Sequence, residues 1–284
     1  MANAMSASGD GFATENDPEL VRDAAPFALK SMESLLAERP DHRGLLLALT
    51  RGFTQYSYAF VETEALAIQD REPREYRRRL DRALHMYIRA RDYGLRLLEL
   101  RHPGLAGELR SEPDSAVVRI EAEDVPAAYW TAAAWGAALG LALDDPGMVA
   151  DFPAIRALLR RALALDPDFD QGALHEAMIG VEAVSPLMGG SRERAREHFE
   201  RAVELSDGLK AGPYVALAAG VAVAEQDRDE FERLLRRALA VDPDAAPRLR
   251  LANLIAQRRA RYLLDRADHL FYEDPASPDP GSSP

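Results

Sequence analysis

Arg161-Ala-Leu-Ala-Leu-Asp-Pro167 returns twice downstream, as Arg201-Ala-Val-Glu-Leu-Ser-Asp207 and Arg237-Ala-Leu-Ala-Val-Asp-Pro243, at spacings of 40 and 36 residues. Self-similarity at such a period marks stacked helix pairs, because one pair cannot bury its own apolar face and must lean on the next. The composition agrees. Hydrophobic residues make up 47% and charged residues 29% of the 284, a globular balance rich in the helix formers Ala and Leu. The formal charge of −12, from 35 basic and 47 acidic residues, opposes a nucleic-acid role, since phosphate binding needs a basic surface. With no cysteine there is no disulfide, no thiolate nucleophile and no cysteine-ligated zinc.

Counting back from Asp207, the middle copy places Ala195, Phe199 and Ala202 where the second helix of a tetratricopeptide (TPR) repeat has Ala-x3-Phe-x2-Ala. The small residues let helices approach and the large one fills the gap between them. Pro40, Pro103 and Pro167 stand 63 and 64 residues apart, near two such periods each, which extends degenerate repeats into the first half. The expected fold is therefore all-α, a TPR-like helix-pair array forming an α-solenoid or superhelical bundle. Residues 1–16 read as a flexible arm, 17–272 as one all-helical domain and 273–284 as a disordered tail. The first ten residues have neither a basic n-region nor an apolar h-region, so the start as written directs no export.

Along the chain, Asp17-Pro18 reads as a cap and first-turn proline, with Pro26 expected to kink or break the helix that follows. Asp41 is the expected cap of a second helix with Leu45, Leu49, Phe53, Tyr56 and Phe60 at helical spacing. Pro73 opens a third, arginine-rich helix, and residues 104–124 read as a connection with short helices or turns at most. From Ala127 to Leu143 no residue is charged. This run is rich in Ala and Gly, lacks a basic flank and lies among amphipathic helices, so it reads as a buried helix and not as a membrane span. It holds both tryptophans, Trp130 and Trp135, which five residues set about 140° apart around a helix axis, on different faces. His175-Glu176 has Ile179, not histidine, at the fourth position beyond His175, so the zinc-peptidase pattern is absent. Ser191 and Asp229 read as caps of later helices. Arg258, Arg259 and Arg261 read as the polar outer face of a terminal capping helix. No paired nucleophile and base, metal cluster or cofactor loop is visible, so neither enzyme activity, nor a metal, nor a cofactor is expected.

Seven stretches together resemble the T component of TPR-associated TRAP transporters: Asp17-Pro-Glu-Leu-Val-Arg-Asp-Ala-Ala-Pro26, Gly52-Phe-Thr-Gln-Tyr-Ser-Tyr-Ala-Phe-Val61, Tyr87-Ile-Arg-Ala-Arg-Asp-Tyr-Gly94, Tyr129-Trp-x4-Trp135-Gly, Gly172-Ala-Leu-His-Glu176, Ala195-Arg-Glu-His-Phe-Glu-Arg-Ala202 and Leu251-Ala-Asn-Leu-Ile-Ala-Gln-Arg-Arg-Ala-Arg261. The resemblance implies a periplasmic, non-enzymatic accessory protein that forms a trimer. It also implies association with the solute-binding P subunit of the transporter and an internal passage for a small organic, apolar ligand. Members that carry a lipid anchor need a signal sequence and a cysteine, which this sequence does not show. Within the resembling stretches, Tyr58, Arg91, Tyr129, Trp130, Trp135, His175, Glu176 and Asn253 are aromatic or polar where leucine would serve a helix equally well. They are the expected passage-lining residues. The other reading of the same pattern is a general TPR adaptor that grips a partner protein in an open groove.

Overall fold

The computed structural model describes residues 9–184 and 186–272, and among these every regular element is helical. In order they are α1 (Gly9–Ala13), α2 (Pro18–Glu38), α3 (Arg43–Tyr56), α4 (Thr63–Leu66), α5 (Pro73–Glu99), α6 (Leu105–Ser111), α7 (Pro113–Ala116), α8 (Val125–Leu141) and α9 (Pro146–Ala150). There follow α10 (Phe152–Leu165), α11 (Phe169–Glu182), α12 (Arg192–Leu205), α13 (Gly212–Leu217), α14 (Val223–Glu225), α15 (Arg228–Ala240), α16 (Arg250–Asp265) and α17 (Ala267–Leu270). Ser57–Glu62 joins α3 to α4 and Ala218–Ala222 joins α13 to α14 as π-helical turns. No helix among the described residues is long and apolar enough to cross a membrane.

The repeated stretch closes α10, α12 and α15, and each copy behaves alike. Its alanine, Ala162, Ala202 or Ala238, is wholly buried where a neighbouring helix presses on it. Its arginine reaches out to the preceding element. Arg161 donates to the Ile120 carbonyl at 2.8 Å, Arg201 to Asp168 at 3.3 Å, and Arg237 lies over the Tyr214 ring. Gly172 shows why the small residue is needed: a Cβ there would stand 3.1 Å from the Cα of Ala202.

Packing runs from α2 through α3, α5, α8 and α10 to the α11–α12 pair, then through α13 and α15 to α16. From there α16 packs back on α1, α2 and α4, so the two ends of the chain meet. Four ion pairs tie them: Arg258 to Glu19 at 2.7 Å and to Glu64 at 3.6 Å, Arg259 to Glu62 at 2.9 Å and Arg266 to Asp70 at 3.1 Å. Arg258 and Arg259 therefore point inward, and only Arg261 has the exposed position expected of all three. The core falls into two apolar clusters. Leu174 and Met178 of α11 belong to the first and Ile179 to the second; Ile255 and Ala256 of α16 divide likewise.

Local readings met the backbone unevenly. Asp17 and Ser191 cap as expected, accepting from Leu20 N at 3.0 Å and Arg194 N at 3.2 Å. The α3 cap is His42 instead of Asp41, its Nδ1 accepting from Leu45 N, and the α15 cap is Asp227 instead of Asp229. α2 continues through Pro26, inside its 21 residues, without a break: the ring removes one hydrogen bond, and burial of Val21, Ala25, Leu29, Met32 and Leu36 along one side holds the helix across it. In the expected arm, residues 9–13 form a helical turn against α16, and Arg250 donates to the Thr14 carbonyl at 2.9 Å. The expected tail, 273–284, lies outside the described residues.

Candidate functional site

Tyr58, Tyr129 and Glu176 come from three distant parts of the sequence, and the Glu176 charge raises the phenol pKa of both tyrosines. Tyr58 sits on the π-helical turn after α3, where the extra residue per turn rotates side chains off the regular helical face. It is 36% exposed, yet burial among surrounding protein is the main cause that raises its phenol pKa, and the Glu176 charge adds to it. Tyr129, half-buried on α8, has its phenol pushed far up by burial first and then by Glu176 and Asp170. Glu176, half-buried on α11, packs against Gly212, where any Cβ would overlap its Oε1. Its carboxylate makes no hydrogen bond or ion pair among the described residues. Burial raises its pKa and Lys210 opposes the rise.

Aromatic and cationic groups stand beside these residues. Trp130 meets Tyr129 edge-on at 4.9 Å between ring centroids, Phe169 lies 5.3 Å from Tyr129, and Arg51 of α3 lies over Trp130 at 5.8 Å. Arg259 of α16 stands 5.0 Å over the Tyr58 ring. Beside Glu176 the chain turns through three consecutive left-handed residues, Asp170, Gln171 and Gly172, so regular α11 starts only after them. Two of these are not glycine and carry roughly 1–2 kcal/mol of strain each. The Lys210 ammonium, donating to the Asp170 carbonyl, holds the turn in place.

The other four expected residues lie in different surroundings. Trp135 is wholly buried; its Nε1–H donates to Asp151 at 3.1 Å while Arg91 and Arg110 lie over its ring at 5.6 and 5.7 Å. Arg91 in turn is held by Asp92 at 2.8 Å, so this pair locks α5 to α8. His175 faces α12, its Nδ1 2.9 Å from that of His198. Asn253 is 2% exposed, accepting from Ala211 N at 2.9 Å and donating to the Leu209 carbonyl at 2.8 Å, which clamps the loop before α13.

One network went unforeseen. Glu62 receives Tyr87 Oη–H at 2.7 Å and Arg259 at 2.9 Å, with the Thr63 hydroxyl beside the guanidinium. Burial is the first cause that drives the Tyr87 phenol pKa well up, with Glu62 second. The available signal was an acid, Glu62, closing the apolar run Tyr58-Ala-Phe-Val61, since such an acid needs a cation from elsewhere in the fold.

The described residues form a helical chain whose two ends pack together, with Tyr129, Trp130 and Phe169 clustered near Glu176. Among its described residues, no group of three or more His, Asp or Glu could hold a metal ion. Residues 14–271 match the family model described as TRAP transporter T-component, and the chain belongs to that family. Its role is thus that of a non-catalytic accessory component of TRAP-type transport. An uncharacterized protein of Treponema pallidum (strain Nichols) is 29% identical over 267 residues, covering 92% of this chain and 83% of the relative.

Proposed function

We propose that the helices form a closed TPR-like array around a passage for a small organic ligand, and that the protein exchanges this ligand with the solute-binding P subunit of a TRAP transporter in the periplasm. Tyr58, Tyr129, Trp130 and Glu176 line the passage in this reading, with Arg259 behind Tyr58. The observation that carries it is the return of α16 to α2 and α4 through Arg258, Arg259 and Arg266. An open groove, which a peptide-gripping adaptor needs, requires those ends to stay apart. Aromatic walls take apolar ligand surface, while Glu176, lacking a protein partner, is available to a hydrogen-bond donor on the ligand.

The family supports association with the P subunit and a periplasmic setting, and the trimer is part of the proposal. Light scattering on the purified chain, alone and mixed with a TRAP solute receptor encoded beside it, tests both. A trimer that takes up the receptor is expected; a monomer that ignores it refutes the reading. Trp130→Ala is expected to weaken ligand or receptor binding beyond its cost in melting temperature. An unchanged affinity would return Trp130 to the core.

A further inference from the structure

Positive charge gathers in one place on this acidic chain. From Arg71 to Arg82 there are six arginines against three acids, Glu72, Glu75 and Asp81. The first turns of α5 set Arg78, Arg79 and Arg82 beside Arg22 of α2 around a cleft of about 400 Å³. Its floor is Tyr56, Phe60 and Val61, all buried.

The guanidinium groups outnumber their partners. Arg78 and Arg79 share the single carboxylate of Glu75. Arg22 is held by the exposed Asp23 at 3.1 Å and stands 3.8 Å from Glu64. Arg82 is exposed and has no ion pair or hydrogen bond among the described residues. The second acid of the cleft, Glu64, has its Oε1 buried without a hydrogen bond, 3.6 Å from Arg258 and 3.8 Å from Arg22, and burial raises its pKa against those charges. Tyr56 is only 8% exposed and lines the same cleft, yet its hydroxyl has no partner among the described residues. The Tyr56 oxygen is not fully buried: it opens to solvent in the cleft, where it can donate to an acceptor beside the arginines.

We propose that this cleft binds a compact organic polyanion bearing two or more carboxylate or phosphate groups. Arg82 and the Tyr56 hydroxyl hold one oxyanion group, and Arg22, on the facing helix, draws the second. Guanidinium forks match the planar oxygens of such groups and make charge-assisted hydrogen bonds. The volume lies within the roughly 300–1,000 Å³ of small-molecule sites, which favours a small ligand over a protein surface. The site stands on α2, α3, α4, α5 and the π-helical turn after α3, and its arginines and Tyr56 are none of the residues proposed for the passage, so it does not depend on that reading.

Isothermal titration of the full chain with citrate, pyrophosphate and sodium chloride at matched ionic strength tests the proposal. Citrate or pyrophosphate is expected to bind saturably while chloride does not, and whichever binds more tightly identifies carboxylate or phosphate as the natural group. Arg82→Gln with Arg78→Gln, both exposed and so harmless to folding, is expected to weaken binding about tenfold or more, Tyr56→Phe by roughly threefold, and the distant Arg261→Gln not at all. Binding that survives Arg82→Gln/Arg78→Gln, the absence of saturable binding to either anion, or attachment only to phosphatidylglycerol vesicles would each overturn it.

Discussion

Replacing Arg259 by methionine tests whether charge holds the two ends of the chain together. Glu62 accepts from Arg259 Nη1 at 2.9 Å and from Tyr87 Oη at 2.7 Å, and the arginine and glutamate side chains are 19% and 14% exposed. Methionine keeps the packing of the aliphatic stem and removes the cation, leaving a nearly buried carboxylate with one hydrogen bond. Breaking a fully buried pair from one side costs about 3–5 kcal/mol, and the remaining exposure reduces the expected loss here to about 2–3 kcal/mol. Glu62→Gln alone strands the arginine less severely, at about 1–2 kcal/mol, because the guanidinium still faces the Tyr58 ring. The double variant strands neither charge, and its amide still accepts from Tyr87, so it is expected within about 1–2 kcal/mol of the parent protein. The coupling energy is then about 2 kcal/mol. Urea unfolding of the four proteins at pH 7, followed by far-ultraviolet circular dichroism, measures it. Additive effects, with a coupling below about 0.5 kcal/mol, would mean that the ends are not joined through this pair and would remove the closure argument.

Gly94→Ala is expected to destabilise by about 1–3 kcal/mol, because the new Cβ would overlap Thr131 Oγ1 and stand 3.0 Å from Thr50 Cγ2 where α3, α5 and α8 cross; thermal unfolding checks it. Gly172→Ala is expected to cost about 2–3 kcal/mol, since φ is +84° and Ala202 Cα lies 3.1 Å from the built Cβ; a loss below about 0.5 kcal/mol in the same assay would show that the turn adjusts freely. Burial and then the His198 charge push the His175 pKa down to about 4, so the folded chain keeps this imidazole neutral while an unfolded chain protonates it from about pH 6.5. The stabilisation is full above about pH 6.5 and is lost as pH falls toward about 4, by about 1 kcal/mol after allowance for screening. His175→Gln is expected to flatten that slope, and an unchanged slope would assign it to other groups.

Much of the architecture could be read from short stretches because it depends on short-range physics. The three repeated segments end α10, α12 and α15, and Ala162, Ala202 and Ala238 are buried as their pattern demands. The uncharged run is a helix, Val125–Leu141, and its two tryptophans meet different neighbours, as their angular separation requires. Caps failed where two polar residues competed within a few positions, as at Asp41 and His42, since the choice depends on which backbone leaves the helix first.

Reading the site met a different barrier. Helical spacing says that a side chain faces inward, but a row of helices whose ends meet offers several places to face: the seam between α5 and α8, the seam between α11 and α12, and, in the proposed reading, the passage between the ends. Trp135 and Arg91 belong to the first and His175 to the second, and the proposed passage assigns Tyr58, Tyr129 and Glu176 to the third. No local pattern separates them. The division follows from a contact between residues 197 positions apart, Glu62 and Arg259, and Arg259 looks like an outer-face arginine until that contact is made. An acid that ends an aromatic run and an arginine on the last long helix are each unremarkable alone. Their pairing joins the two ends of the row of helices, and the proposed passage rests on that closure.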